Sequence, residues 1–203
     1  CGDFGLTDST KNIAIGAERS TTSGWVLVYR LADADSDGQA DLVASRIDVG
    51  HPIALVFGQE LWSLWDNGLV GKLSYPSGTF TTVGVYANDE YHGIALIEDG
   101  LIMLAGDSVE TKLYFSVFNA TYVLSLGDHY TLGPAVADMN LDGLPEVAAF
   151  SSDGKGILFT IDTTGALSVR TLVKKNLDFQ FTTNPVISDI DLDGYPDFVI
   201  GGT

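Results

Sequence analysis

The chain has 203 residues, of which 45% are hydrophobic and 10% aromatic, so it can bury a core and is not expected to be disordered. Its charge is one-sided, because 27 Asp and Glu face only 10 Lys and Arg, for a formal net charge of -17. A field of this sign repels phosphate groups, which argues against a nucleic-acid partner and against docking on anionic lipid. The longest apolar runs, such as residues 53–58, are too short to span a bilayer, so direct membrane insertion is not expected.

Short apolar runs bounded by turn residues predict strands along the whole chain. The first two are extended segments, and the last two precede and follow the acidic turn at residues 189–196. No segment has a sustained helical period with caps, so helices should be nearly absent. The predicted strands are residues 12–16, 24–31, 146–150, 156–161, 166–173, 185–188 and 197–202, and residues 61–68 are predicted to form one arm of an amphipathic hairpin.

Three acidic segments align without gaps on the pattern D-x-[DN]-x-D-G-x-x-[DE], each followed by a β-rich apolar run. They begin at Ala32, Ala137 and Ser188. Their glycines, at positions 38, 143 and 194, are 105 and 51 residues apart, which suggests a repeat with a copy missing in between. A fourth, chemically decayed loop is therefore predicted at residues 88–96, with Gly93 in register.

This spacing leaves room for about four short antiparallel strands per repeat, which is the unit of a β-propeller blade. The fold class predicted is all-β: a β-propeller of four-stranded antiparallel blades with calcium-binding loops, with about four blades present. We treat residues 1–203 as one domain or segment with approximate repeat units at residues 1–31 (partial), 32–86, 87–136, 137–187 and 188–203 (partial). Two arrangements remain open: a segment of a larger ring, or a ring closed by pairing the first strands with the last.

The acidic loops concentrate like charge. Asp33, Asp35, Asp37 and Asp41 lie within nine residues, and their mutual repulsion requires compensation. Calcium takes six to eight oxygens, which carboxylates at positions 1, 3, 5 and 9 and the backbone carbonyl at position 7 can supply, while glycine at position 6 permits the sharp turn. About three calcium ions per chain are predicted. The predicted ligands are Asp33, Asp35, Asp37, the carbonyl of Gln39 and Asp41; Asp138, Asn140, Asp142, the carbonyl of Leu144 and Glu146; and Asp189, Asp191, Asp193, the carbonyl of Tyr195 and Asp197.

Other readings of these loops fit the residues less well. Magnesium demands strict octahedral geometry and retains its water, and zinc prefers His or Cys. A helix-loop-helix calcium sensor would need Glu at position 12, where this chain has Ala44, Ala149 and Ile200. Asp-Gly turns without metal are the simplest alternative for any single loop, but three in register favour a structural cation. Exposed loop sites of this kind bind weakly and would be empty in a resting cytosol, so we expect an extracellular or cell-surface protein.

The loops followed by apolar strands resemble the FG-GAP/VCBS repeat family, the calcium-loop propellers that include the integrin α head. The runs at residues 13–17 and 23–29 also resemble the end of such a blade. The resemblance implies the same fold and structural calcium, and leaves function open, since the family includes adhesion receptors, lectins and polysaccharide-active enzymes. The decayed loop at residues 88–96 departs from the pattern, as does an N-terminal loop near Asp3 and Asp8, and we expect no calcium in either.

We expect a binding module rather than an enzyme. No serine-nucleophile elbow, phosphate-binding glycine loop or HExxH motif occurs, and the three histidines read as structural residues. The favoured function is a calcium-stabilised extracellular platform for recognition or adhesion, with a protein or glycan ligand. Exposed, the aromatics of residues 61–68 could stack on sugars in a lectin-like way, although packing between blades is their simpler role. The alternative function is the scaffold of a carbohydrate-active enzyme such as a polysaccharide lyase.

Overall fold

The computed structural model describes residues 12–30, 41–57, 60–74, 79–97, 100–117, 120–162, 168–176 and 180–203, and every regular element in these ranges is a β-strand. The expected absence of helices therefore holds for the described part of the chain. A search of the same ranges finds no helix with the length and apolar character needed to cross a membrane. The chain divides into two compact units, residues 1–91 and 92–203.

The first unit contains two antiparallel sheets whose strands follow one another in chain order. Their partner strands are neighbours in sequence, as in a meander of hairpins. The first strand of the chain pairs with the second, and the second pairs with the third. One sheet consists of β1 (Asn12–Ser20), β2 (Ser23–Arg30) and β3 (Asp41–Val49); the other of β4 (Pro52–Phe57), β5 (Leu61–Trp65), β6 (Leu69–Ser74) and β7 (Thr79–Val85).

The core of the first unit is formed where β2 packs against the second sheet. Val26 and Val28 are two residues apart on β2, so they point to one face, and both are buried in a cluster with Leu61 and Trp65 of β5. The Trp65 indole N–H donates to the Ser63 hydroxyl (3.1 Å), which satisfies its polar atom inside the core. The expectation that these aromatics pack between sheets is confirmed for Trp65.

His51 links the turn after β1 to the turn after β5 within the first unit. Its Nδ1 lies 2.8 Å from the Asp66 carboxylate, and its Nε2 lies 2.9 Å from the Ser20 carbonyl oxygen. Both partners only accept hydrogen bonds, so the doubly protonated imidazolium is the form that satisfies both contacts. The Ser20 carbonyl, followed by Asp66 and the more distant charge of Glu18, raises the pKa of His51 above its usual value. Partial burial raises the pKa of Asp66, but hydrogen bonds from the His51 backbone and ring outweigh it and leave that pKa below its usual value.

The second unit repeats the same arrangement with two four-stranded sheets and one short pair. Each four-stranded sheet is again an antiparallel series of sequence neighbours. The strands are β8 (Glu90–Ile97), which begins at the unit boundary, β9 (Gly100–Gly106), β10 (Thr111–Val117) and β11 (Ala120–Ser125); β12 (Leu132–Ala137), β13 (Glu146–Phe150), β14 (Lys155–Asp162) and β15 (Ser168–Asn176); and β16 (Val186–Ser188) and β17 (Asp197–Val199).

The interior strands of the second unit are buried on both faces. On β9, all residues from 101 to 106 are buried, so neither side of the strand faces solvent. One side, including Ile102 and Leu104, packs with Phe115 and Phe159 from the neighbouring strands and the next sheet. Each such side chain contributes about 1.5–3 kcal/mol when it is fully removed from water. Sheets that are covered on both sides match blades stacked face to face.

Most predicted strands are confirmed within a few residues, and β13 has the predicted bounds. The loop predicted at residues 88–96 is wrong, because β8 starts at Glu90 and Gly93 lies inside this strand. The glycine is explained by close approach: a Cβ at position 93 would overlap the carbonyl oxygen of Gly133 on β12. The residue fits the repeat spacing by coincidence and serves packing between two sheets.

We expect Gly93→Ala to destabilise the protein by about 1–3 kcal/mol, because the methyl group would push two backbones apart. The matched control is Gly156→Ala on β14, where the added methyl would touch only the Phe150 ring (3.2 Å) and a side chain can shift. The free energy of unfolding from denaturant titration measures both. Equal losses in the two variants would contradict the close-approach explanation.

The His51 contacts predict a pH-dependent contribution to stability. Because the folded-state pKa of His51 is raised, its contribution is fully present below the unfolded pKa of about 6.5 and is lost as the pH rises through the folded value. The stability difference between wild type and His51→Gln should therefore shrink over the pH range above about 6.5. Denaturant midpoints across this range test it, and NMR titration of the ring should give a lower pKa in Asp66→Asn. A difference that does not change with pH would refute the charged form.

Candidate functional site

The two described acidic loops occupy equivalent places in their sheets. Residues 138–145 join β12 to β13, and residues 189–196 join β16 to β17. Both loops therefore connect the first strand of a sheet to its second strand. The remaining acidic loop lies at residues 31–40, outside the described residues, and this includes Asp33, Asp35, Asp37 and Gln39; the side chain of Asp41 is outside them as well.

Side-chain oxygens of the loop between β12 and β13 accept hydrogen bonds from its own backbone. The Asp138 carboxylate accepts from the N–H of Asp142 (3.0 Å) and of Gly143 (2.9 Å). The Asn140 side-chain oxygen accepts from Asp142 (2.9 Å), and the Asp142 carboxylate accepts from Leu144 (2.9 Å). These bonds fold the loop around the oxygens of positions 1 and 3.

Glu146, at position 9 of this loop, is a buried carboxylate with 1% of its surface exposed. It accepts from the Met139 N–H (2.7 Å) and from the Thr160 hydroxyl (3.0 Å). Among the described residues no Lys, Arg or His forms an ion pair with it. A buried charge is costly unless it is compensated, so this carboxylate favours a cation on the loop side.

The loop between β16 and β17 reproduces the same five backbone bonds position by position. No donor or acceptor position is changed, although four of the nine side chains differ between the two loops. The bonds run from Asp193 N to Asp189 Oδ1 (3.1 Å), Gly194 N to Asp189 Oδ2 (3.0 Å), Asp193 N to Asp191 Oδ1 (3.2 Å), Tyr195 N to Asp193 Oδ1 (2.8 Å) and Ile190 N to Asp197 Oδ2 (3.0 Å).

The backbone of both loops also passes twice through the left-handed region. Position 6 is glycine in each, with φ of 88° at Gly143 and 93° at Gly194. Position 4 is leucine in each, with φ of 58° at Leu141 and 61° at Leu192. Glycine adopts this conformation without cost, whereas a leucine pays roughly 1–2 kcal/mol. Because both loops adopt the left-handed conformation at the same two positions, the shared hydrogen bonds set the conformation of the loop.

Carboxylates converge in the loop between β16 and β17. Ligand oxygens of Asp189, Asp191 and Asp197, at positions 1, 3 and 9, lie within 4.8 Å of one another. Asp193, at position 5, is not a member of this group. Three oxygens this close, carrying like charge, form an arrangement that could hold a cation. The corresponding residues of the other loop are Asp138, Asn140 and Glu146.

Sequence reasoning missed two contributors to these loops. Thr160 lies directly opposite Glu146 on the neighbouring strand, and only the strand register reveals this pairing. The leucines at position 4 gave a weak signal, because a branched side chain within D-x-[DN]-L-D-G disagrees with the conformation that the turn requires.

No family model matches the sequence, and no curated protein matches it. Among solved structures, the chain is similar to the WD40 domain of Toxoplasma gondii coronin, with a TM-score of 0.62 and 10% identity over 94% of this chain and 53% of that one. It is also similar to a chain in the nidogen/laminin complex, with a TM-score of 0.56 and 15% identity over 95% of this chain and 71% of that one.

The computationally designed protein Ika8 gives a TM-score of 0.52 at 16% identity, over 93% of this chain and 58% of that one. The chain thus spans little more than half of the coronin domain. At such identities the likeness shows the fold alone. The coronin and nidogen/laminin matches are β-propellers, which confirms the predicted fold class: the antiparallel sheets of this chain are propeller blades.

Proposed function

We propose that this chain is a recognition module of the FG-GAP/VCBS type, a β-propeller that works outside the cell and is stabilised by calcium in its acidic loops. The observation that carries the proposal is the identical bonding of the two described loops, which holds side-chain oxygens in one arrangement. We infer that the loop at residues 31–40 binds calcium in the same way, because its sequence has the same pattern.

The donor set fits calcium. Calcium–oxygen distances of 2.3–2.6 Å place opposite ligands about 5 Å apart, and the oxygens of Asp189, Asp191 and Asp197 lie within 4.8 Å. Each carboxylate oxygen has two lone pairs, and the single N–H bond it accepts leaves one for a metal. In the other loop, Asp138, Asn140 and Glu146 would hold the ion in the same positions. The ion would contribute charge neutralisation and a fixed loop conformation, and no chemical step.

A protein partner is favoured over a glycan. One of the similar structures is a complex of two proteins, nidogen and laminin, which supports a protein-binding role for this propeller as well. Of the aromatics that could stack on sugars, Trp65 is completely buried and so is not available to a ligand. The remaining Trp62 is half-buried, with Lys72 near its ring. This leaves no paired aromatic platform on β5.

Calcium removal should lower the thermal midpoint and loosen the acidic loops first, because uncompensated carboxylates would repel one another. The measurement is thermal unfolding with excess chelator and with millimolar calcium, with the bound metal quantified on the same sample. We expect about three ions per chain, because three loops have the full pattern, and a lower midpoint after chelation. Absence of bound metal together with an unchanged midpoint would show that these are metal-free turns.

Asp189→Ala should reduce the number of bound calcium ions by one. The matched control is Asp107→Ala, because Asp107 also accepts two backbone N–H bonds in a turn, from Val109 (2.8 Å) and Glu110 (2.9 Å), but lies outside the acidic loops. Both variants lose one negative charge, so a general charge effect would change both alike. Calorimetric calcium titration distinguishes them, and an unchanged count in Asp189→Ala would refute the ligand assignment.

A further inference from the structure

Leu141 and Leu192 are the only non-glycine residues with positive φ in the described part of the chain. They occupy the same loop position, and 56% and 85% of their surfaces are exposed. The left-handed backbone is unfavourable for leucine, and so is the exposure of its large apolar side chain to water. Both occur together at each of the two positions.

The turn itself does not require leucine at this position. Such exposed side chains contribute little to a core, and asparagine or glycine would serve the turn with less strain. The apolar side chains therefore point to a binding role. Two further exposed residues of the second loop, Ile190 (60%) and Tyr195 (49%), extend the apolar surface. We call Leu141, Ile190, Leu192 and Tyr195 the loop patch.

The two loops follow strands of neighbouring sheets. They follow β12 and β16, which contact each other. The Gly133 N–H near the start of β12 donates to the Asn184 side chain just before β16 (3.1 Å), so the two strands begin side by side. The loops that follow them can therefore meet one partner together.

The charge around the loop patch defines the partner's chemistry. The patch is interspersed with carboxylates, namely Asp138, Asp142, Asp189, Asp191 and Asp193. A complementary surface would combine an apolar pocket with a rim of Lys or Arg. A second copy of this chain does not fit, because its net charge is -17 and it has only 10 Lys and Arg. Anionic lipid would be repelled by the same carboxylates.

We propose that the loop patch is a docking surface for a protein with an apolar pocket rimmed by basic residues, anchored by Leu141 and Leu192. The inference rests on the proposed function, because bound calcium would hold the loops in the conformation that presents these side chains. Calcium also reduces, without cancelling, the negative charge that selects a basic partner.

The test uses a random peptide library displayed on phage, selected on the wild-type chain with excess soluble Leu141→Asn/Leu192→Asn as competitor. Asparagine tolerates the left-handed conformation, so this double variant should keep its fold and its calcium. The control is Val109→Asn, which removes an exposed apolar residue from a turn outside the acidic loops. Enriched peptides should combine large apolar residues with Lys or Arg.

Selected peptides should bind wild type and Val109→Asn equally, and should bind the double variant about tenfold more weakly or worse, as expected for loss of apolar anchors. Peptides that bind all three proteins alike, or that lack basic residues, would overturn the proposal. Self-association or binding to phosphatidylserine vesicles that the double variant abolishes would overturn it in favour of another occupant. Calcium titration of the same samples separates the two proposals. If the proteins bind calcium but the peptides bind all of them equally, only the docking surface is refuted. If the peptides distinguish the double variant but no protein binds calcium, only the metal site is refuted.

Discussion

Hydrogen bonds from backbone N–H groups to side-chain oxygens are the interaction on which the described acidic loops depend. Asp138 and Asp189 each accept two such bonds and fold the chain around themselves. The same bonds carry position 4 into the left-handed region and leave its leucine facing water. Because position 9 belongs to the next strand, the loop also brings Glu146 or Asp197 back towards position 1. Charge concentration, backbone strain and apolar exposure thus follow from one turn.

The sheets supply the rigid frame that such loops need. Interior strands such as β9 are buried on both sides, and each unit has its own apolar cluster. The loop between β12 and β13 ends on β13, which is almost entirely buried, so its carboxylates cannot separate freely to relieve their repulsion. The proposed calcium would therefore stabilise the loops against a strain that the surrounding packing imposes. The docking surface uses the same rigidity, since side chains on fixed loops lose little freedom when they bind.

Most strands and the acidic loops could be predicted from the sequence, whereas the spacing of the repeats could be predicted only in part. Strand β13 was predicted with its correct bounds, because apolar runs bounded by turns are a local signal. Gly93 was misassigned because the spacing between glycines assumes blades of equal length. The first strands of the five sheets start at residues 12, 52, 90, 132 and 186, so the intervals are unequal. Gly93 instead leaves room for the carbonyl oxygen of Gly133. This contact joins two sheets, so the sequence around Gly93 contains no pattern that predicts it.

The sequence by itself determined the all-β class and the position of the acidic loops, and it predicted a hard cation for these loops, because turn chemistry, charge and apolar alternation act over a few residues. Only the tertiary structure decided which carboxylates converge, Asp189, Asp191 and Asp197 without Asp193, and that Thr160 stands opposite Glu146. It also showed that Trp65 is buried and that Leu141 and Leu192 are exposed. These features depend on strand register and on packing between sheets, which are set by contacts between residues distant in the chain.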